Sequence, residues 1–288
     1  MDEVNITVLC VICTLMLCIG ILLISKHNTN TNIDYEYKHH EKCTMNHSSD
    51  IVKRDNFESG KKQILNLVLF SHSEHYDKMY KITREFYKTQ GIPTIYYIFN
   101  PDLKTDFELL DDILHIRGKE TYTPGILDKT VKAIEYVHKT YSFDYLIRSN
   151  ISTLINFKLL LPNLSGVEYG AGCTFTTSRV IHGVNQQILF GSGTSIILSK
   201  DAVRKLVLFK HLIDYVAVID DVAIGLFFQM YYPSIKLTNF LSRFQLVQCD
   251  NPTIDTTKIF FRCKCSETDL LNRDKDIQNM QLVTKMLR

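Results

Sequence analysis

The chain has 288 residues, 33 basic and 31 acidic side chains, a formal net charge of +2 and 45% hydrophobic residues. That length fits one domain of moderate size with something attached to it. Charge this close to zero, with basic residues scattered among acidic ones, forms no basic stripe and excludes nucleic acid as a general electrostatic partner.

The first element is apolar. Ile6 to Ile24 reads ITVLCVICTLMLCIGILLI without a charge, and as a helix it reaches roughly 28 Å, close to the hydrocarbon thickness of a bilayer. A cleaved signal peptide is the alternative, but no basic segment precedes the run and no small-residue cleavage site follows it. The expected organisation is therefore a short tail over 1–5, a transmembrane anchor over 6–24, a polar stem over 25–62 and a domain over 63–288. The stem, with Asn28-Thr29-Asn30-Thr31-Asn32 and Lys38-His39-His40, has too little apolar surface to order itself. Cys43 beside those histidines lacks a second ligand pair at zinc spacing.

Ile64 to Phe70 is a short apolar run suited to a strand buried on both faces. A helix follows from Ser71-His72-Ser73 through Tyr87, then strands at Thr94–Phe99 and Ile113–Ile116. Gly125 to Tyr141 predicts an amphipathic helix, and Tyr145 to Arg148 a fourth strand. This alternation implies an α/β fold of the Rossmann type, a mixed but mainly parallel sheet with helices on both faces. Ligands of such sheets collect at the carboxyl ends of strands. Ser71, the Arg148-Ser149-Asn150-Ile151-Ser152 segment and Asp220-Asp221 all fall at such ends.

Gly166 to Arg179 is loose and rich in Gly and Thr. Leu189-Phe190-Gly191-Ser192-Gly193-Thr194-Ser195-Ile196 reads as a buried strand, a small-residue turn and a second strand. A helix over Lys200–His211, a strand over Val216–Ile219 and a helix over Val222–Tyr231 come next. Phe260 to Lys264 forms a late strand, and Ile277, Met280, Val283 and Leu287 mark a closing helix. Neither a Walker loop nor a dinucleotide fingerprint is present.

Three blocks carry a resemblance. Tyr145-Leu146-Ile147-Arg148-Ser149-Asn150-Ile151-Ser152 with Thr153-Leu154-Ile155-Asn156 resembles the β-1,3-galactosyltransferase and Fringe-type motif, a strand ending in Lys-Thr-Asp-Asp-Asp and then Val-Phe-Val-Asn. Gly191-Ser192-Gly193 with Ile196-Ile197-Leu198-Ser199 is similar to that family's Ser-Gly-Gly-Gly-Tyr-Val-Leu-Ser block. Asp220-Asp221-Val222-Ala223-Ile224-Gly225 resembles its Glu-Asp-Val-Tyr-Val-Gly block. Order and spacing agree from about Ile64 to Gly225.

The resemblance implies a GT-A-like glycosyltransferase that inverts the anomeric carbon of a hexosyl-type sugar taken from a nucleotide donor, UDP by first expectation. Its partners would be a nucleotide-sugar donor and a glycan or glycoprotein acceptor. Asp221 matches the family's base, with Asp220 beside it, although either could instead cap the following helix. Ser71, Arg148, Ser149, Asn150, Ser152, Gly191, Ser192 and Gly193 would line the donor site. Family members bind Mn2+ through the acidic motif, yet the aligned positions are Asn150-Ile151-Ser152, with no carboxylate for a hard cation. The expectation is that no cofactor is required and that Arg148, Arg262 or Lys264 replaces the cation, since guanidinium forks grip diphosphate oxygens well.

The resemblance also implies a type II single-pass membrane protein whose domain faces the Golgi or endoplasmic reticulum lumen. Sequons at Asn46 and Asn163 permit that, whereas Asp2 and Glu3 before the anchor and Lys26 after it lean the other way. Cys43, Cys173, Cys249, Cys263 and Cys265 leave an odd thiol in the body, with at most one or two disulfides expected. Two other readings are a catalytically inactive sugar- or nucleotide-binding protein of the same fold, and a membrane-anchored scaffold.

Overall fold

Asn66 is the one polar interruption in strand β1 (Ile64–Leu69), which lies at the centre of an eight-stranded sheet. The computed structural model describes residues 62–181, 183–213, 219–248, 252–265 and 273–288, all within the compact unit Asn56–Arg288. The expected anchor and all but the end of the expected stem lie outside the described residues. Among the described residues no helix is long and apolar enough to cross a membrane.

Strand β1 pairs in parallel with β2 (Thr94–Asn100) on one side and β5 (Tyr145–Asn150) on the other. Strand β4 (Ile113–Arg117) continues the parallel set beyond β2, and β3 (Phe107–Leu110) closes that edge antiparallel. The parallel strands thus run β4-β2-β1-β5, and the order reverses between β1 and β5. That is the topological switch point of a Rossmann-like sheet, where strand ends diverge and leave a crevice. On the far side of β5, strand β10 (Ser195–Ser199) joins antiparallel, so its amino end lies beside the carboxyl end of β5. Strands β7 (Tyr169–Ala171) and β11 (Leu237–Asn239) complete the sheet.

Alternate residues of β2 show how both faces are covered. Tyr96 donates its hydroxyl to Thr83 on helix α1 (Glu74–Thr89), whereas Tyr97 hydrogen-bonds Thr130 on helix α2 (Gly125–Thr140). Side chains of successive strand residues point to opposite faces, so α1 and α2 lie on opposite sides. Ser73 begins α1 by accepting the Tyr76 amide at 3.1 Å, the arrangement expected of an N-cap serine.

The short helix α3 (Phe157–Leu160) follows strand β6 (Thr153–Ile155). Ser199 caps helix α4 (Lys200–Leu208) in the same way as Ser73 caps α1, by accepting the Ala202 amide. Helix α5 (Asp220–Tyr231) is buried through its first nine residues. Apolar side chains all round it explain that burial. Of the strand expected over Val216–Ile219, only Ile219 is described, and it is the N-cap of α5 rather than a strand residue.

The loose Gly- and Thr-rich patch is more regular than expected. Strands β8 (Thr174–Ile181) and β9 (Val184–Gly191) form a two-stranded ribbon. Most of β8 is exposed, so it needs no apolar periodicity and shows none. A third sheet runs β12 (Phe244–Val247), β13 (Phe260–Cys263), β6, with Arg262 opposite Thr153. Helix α6 (Asp274–Leu287) buries Ile277, Met280 and Val283 in the core shared with α1.

Candidate functional site

The cleft at the switch point has a volume of about 500 Å³. Its floor is the end of β1 with Phe70 and Ser71, the end of β5 with Arg148, Asn150 and Ser152, and Gly193 from the turn before β10. Asp220 and Asp221 enter from the start of α5, and Arg262 from β13. Eight of the twelve site residues expected from sequence therefore line one cleft: Ser71, Arg148, Asn150, Ser152, Gly193, Asp220, Asp221 and Arg262.

The other four stand apart from that lining. Ser149 is fully buried in β5, its hydroxyl without a partner. This follows from strand geometry, because the residue after Arg148 must point to the opposite face. The Gly191 amide donates to the Tyr169 hydroxyl, and Ser192 hydrogen-bonds Thr194 within the turn. Lys264 follows β13, its amide donating to Val247 O.

Arg148 organises the floor. Its side chain is 1% exposed, and its guanidinium reaches Asp220 Oδ2 at 2.5 Å, Gly193 O at 2.5 Å, Asn150 Oδ1 at 3.0 Å and the Tyr97 hydroxyl at 3.2 Å. The register that sets Arg148 opposite Leu67 and Ile196 fixes it between β1 and β10. A buried charge with this many committed donors is a positioning group. Its strong pairing leaves little of the fork for a ligand.

Asp220 and Asp221 are neighbours with different surroundings. Neither is the N-cap of α5, since Ile219 holds that position and both carboxylates fall in the first turn. Asp220 Oδ2 takes the Arg148 ion pair and a hydrogen bond from Thr130. Asp221 Oδ2 accepts the Gly193 amide at 2.8 Å, and its Oδ1 accepts the Val222 amide at 2.8 Å. Burial, with the Asp220 charge next in size, pushes the Asp221 carboxyl up to about 6 against the opposing pull of those amides and Arg148. Two adjacent carboxyl groups held in unlike environments are a recurring acid–base arrangement. A carboxylate has about four acceptor positions, so two amide bonds orient Asp221 without consuming it.

Sequence reasoning missed two cationic cleft residues, Lys129 and Arg273. Lys129, on α2, is buried and joins Glu120 at 2.6 Å while also donating to Phe70 O. Burial lowers its ammonium from the ordinary value, with Glu120 acting the other way. Arg273, just before α6, pairs with buried Asp276 and donates to Ser152 Oγ at 3.1 Å. Arg262 donates to the same oxygen at 2.6 Å. Lys129 is hidden in an amphipathic helix pattern, and Arg273 sits in a stretch with alternating charges, so neither had a local signal. Only the long-range contacts identify them.

A divalent cation does not fit the residues at the end of β5. Asn150 Oδ1 already faces Arg148, and Ser152 Oγ lies between two guanidinium groups. The cleft carboxylates are engaged by Lys129, by Arg148 and by two amides. Among the described residues no group of three His, Cys, Asp or Glu side chains is placed to hold a metal. Cys173 and Cys263 are free thiols, and Cys43 and Cys249 lie outside the described residues.

No family model matches the chain, and no curated protein matches its sequence. Among solved structures, the chain is similar to a glycosyltransferase involved in the glycosylation of the major capsid of PBCV-1, at 13% identity and a TM-score of 0.43, over 77% of this chain and 100% of that one. It is also similar to the inositol-1-phosphate CTP transferase from T. maritima, at 9% identity and a TM-score of 0.36, over 79% of this chain and 98% of that one.

Proposed function

We propose that the protein is a glycosyltransferase that moves a hexosyl-type sugar from a nucleoside diphosphate, UDP by first expectation, to an acceptor hydroxyl. The observation that carries this reading is one cleft in which Asp221, held by the Gly193 amide, shares the space with buried cations at the switch point of the sheet. The three sequence blocks that resemble the β-1,3-galactosyltransferase and Fringe family meet there.

The chemistry is a single inverting displacement. The acceptor oxygen forms a bond to the anomeric carbon while the bond from that carbon to the donor phosphate oxygen breaks. The acceptor proton passes to Asp221, and the electron pair leaves with the diphosphate. A base with a carboxyl raised to about 6 is largely deprotonated at neutral pH and retains more proton affinity than a free aspartate. Arg148 holds Asp220 and the Gly193 carbonyl, and Gly193 in turn holds Asp221, so the base is oriented by the strand ends.

Ile6 to Ile24 serves in this reading as a membrane anchor, with the domain facing the lumen of the Golgi or endoplasmic reticulum and a glycan or glycoprotein as acceptor. Incubating the full-length protein with a panel of nucleotide sugars and acceptor glycans tests the activity. Acceptor-dependent release of nucleoside diphosphate from one donor is expected. Donor binding without release under any acceptor would instead identify an inactive binding protein.

A further inference from the structure

We infer that Arg262 and Arg273, joined through Ser152 Oγ, form a clamp that binds a diphosphate without a divalent metal. The inference rests on the donor reading above only for the identity of the natural anion.

Four separate parts of the chain build the clamp. Arg262 is fixed on β13, opposite Thr153 of β6, and its hydrogen bond among the described residues goes to Ser152 Oγ at 2.6 Å. Arg273 enters from the segment before α6 and reaches the same oxygen at 3.1 Å. Its guanidinium lies 5.7 Å from the centre of the Tyr76 ring, supplied by α1. Ser152 itself is buried just past the end of β5, and all four residues line the cleft that holds Asp221.

Charge balance shows what is missing. Arg273 has Asp276 as a carboxylate partner, Lys129 has Glu120, and Arg148 has Asp220. Among the described residues Arg262 has a neutral hydroxyl where those cations have a paired anion, and Asp276 acts on it without forming a salt bridge. Two guanidinium groups on one hydroxyl repel each other, and burial with the Arg273 charge lowers the Arg262 guanidinium to about 10, still protonated at neutral pH. An anion placed against both would relieve that repulsion. A diphosphate matches best, because planar forks bind its oxygens in pairs and its charge exceeds that of one carboxylate. The same two cations exclude a divalent metal from the end of β5, so the clamp stands where the related motif would hold one.

The test is equilibrium binding of inorganic pyrophosphate, and separately of UDP, to the full-length protein in EDTA. Both are expected to bind, and Arg262→Gln should weaken each roughly tenfold to a hundredfold. Arg273→Lys, which keeps a cation near Asp276, should also weaken binding while the thermal unfolding midpoint stays near wild type. Lys210→Gln removes an equal charge from the Glu135 pair outside the cleft and should leave binding unchanged. The clamp is overturned if pyrophosphate fails to bind in EDTA, if Arg262→Gln binds as wild type, or if Lys210→Gln weakens binding as much. Clamp-dependent pyrophosphate binding with no sugar transfer would overturn only the transferase reading. Mn2+-dependent transfer unaffected by Arg262→Gln would overturn only the clamp.

Discussion

The Gly193 amide donates to Asp221 Oδ2 at 2.8 Å across 28 positions of sequence. This bond joins the turn before β10 to the start of α5, and the Gly193 carbonyl accepts Arg148 on its other side. The Asp221 carboxyl, the turn and the buried arginine therefore form one unit. Changes to any of them should be felt at the others.

The pH dependence follows from the carboxyl of Asp221. In the proposed transfer Asp221 must be deprotonated to take the acceptor proton, so kcat/KM should rise with pH and level off above about 6. The stability effect has the opposite sign. Between the ordinary carboxyl value of 3.8 and about 6, the folded chain binds more protons at Asp221 than the unfolded chain does. Stability attributable to this group is therefore lost as pH rises through that window. Urea melts of wild type and Asp221→Asn should show it, the wild type losing stability relative to the variant from low to high pH. A difference that stays constant with pH would contradict the raised carboxyl.

Arg148→Met should destabilise the domain by about 3–5 kcal/mol, because it leaves Asp220 buried without its cation. The double variant Arg148→Met with Asp220→Leu should cost less than the sum of the two single changes, since neither charge is then stranded. Denaturant titration of all four proteins checks this. Additive losses would show that the pair is not coupled.

Gly193→Ala tests the turn. A Cβ there would come within 2.6 Å of Arg148 Nη1 and 3.4 Å of Asp221 Oδ2. The expected cost in stability is about 1–3 kcal/mol from crowding. Activity should fall by roughly a hundredfold, as the Asp221 carboxyl proposed as the base moves with the turn. A crystal structure of the variant should show a displaced Arg148 side chain, and normal turnover with that displacement would mean that Asp221 does not depend on the turn.

Much of this arrangement is legible in the sequence. Apolar runs such as Ile64–Leu69 and amphipathic periods such as Gly125–Thr140 mark the parallel core because burial repeats at strand and helix spacing. The small-residue turn Ser192-Gly193-Thr194 is visible because two apolar strands flank it. The β8–β9 ribbon is hidden, since exposed strands carry no apolar alternation to read. The site divides in the same way. Asp220, Asp221 and Arg148 lie next to strand or helix ends that the pattern marks, whereas Lys129 and Arg273 reach the cleft only through contacts with Phe70 and Ser152, distant in the chain. Ser149 falls in the strand-end segment that carries the resemblance, and strand alternation turns it away from the cleft.

In the proposed reaction Asp221 takes the acceptor proton during sugar transfer. That role is tested most directly by measuring nucleoside diphosphate release, with and without acceptor, for wild type and Asp221→Asn at one saturating donor concentration. Wild type should release nucleoside diphosphate only with acceptor, and Asp221→Asn should lose at least about a hundredfold in kcat with donor affinity kept within a few-fold. Transfer by Asp221→Asn at the wild-type rate would contradict that role.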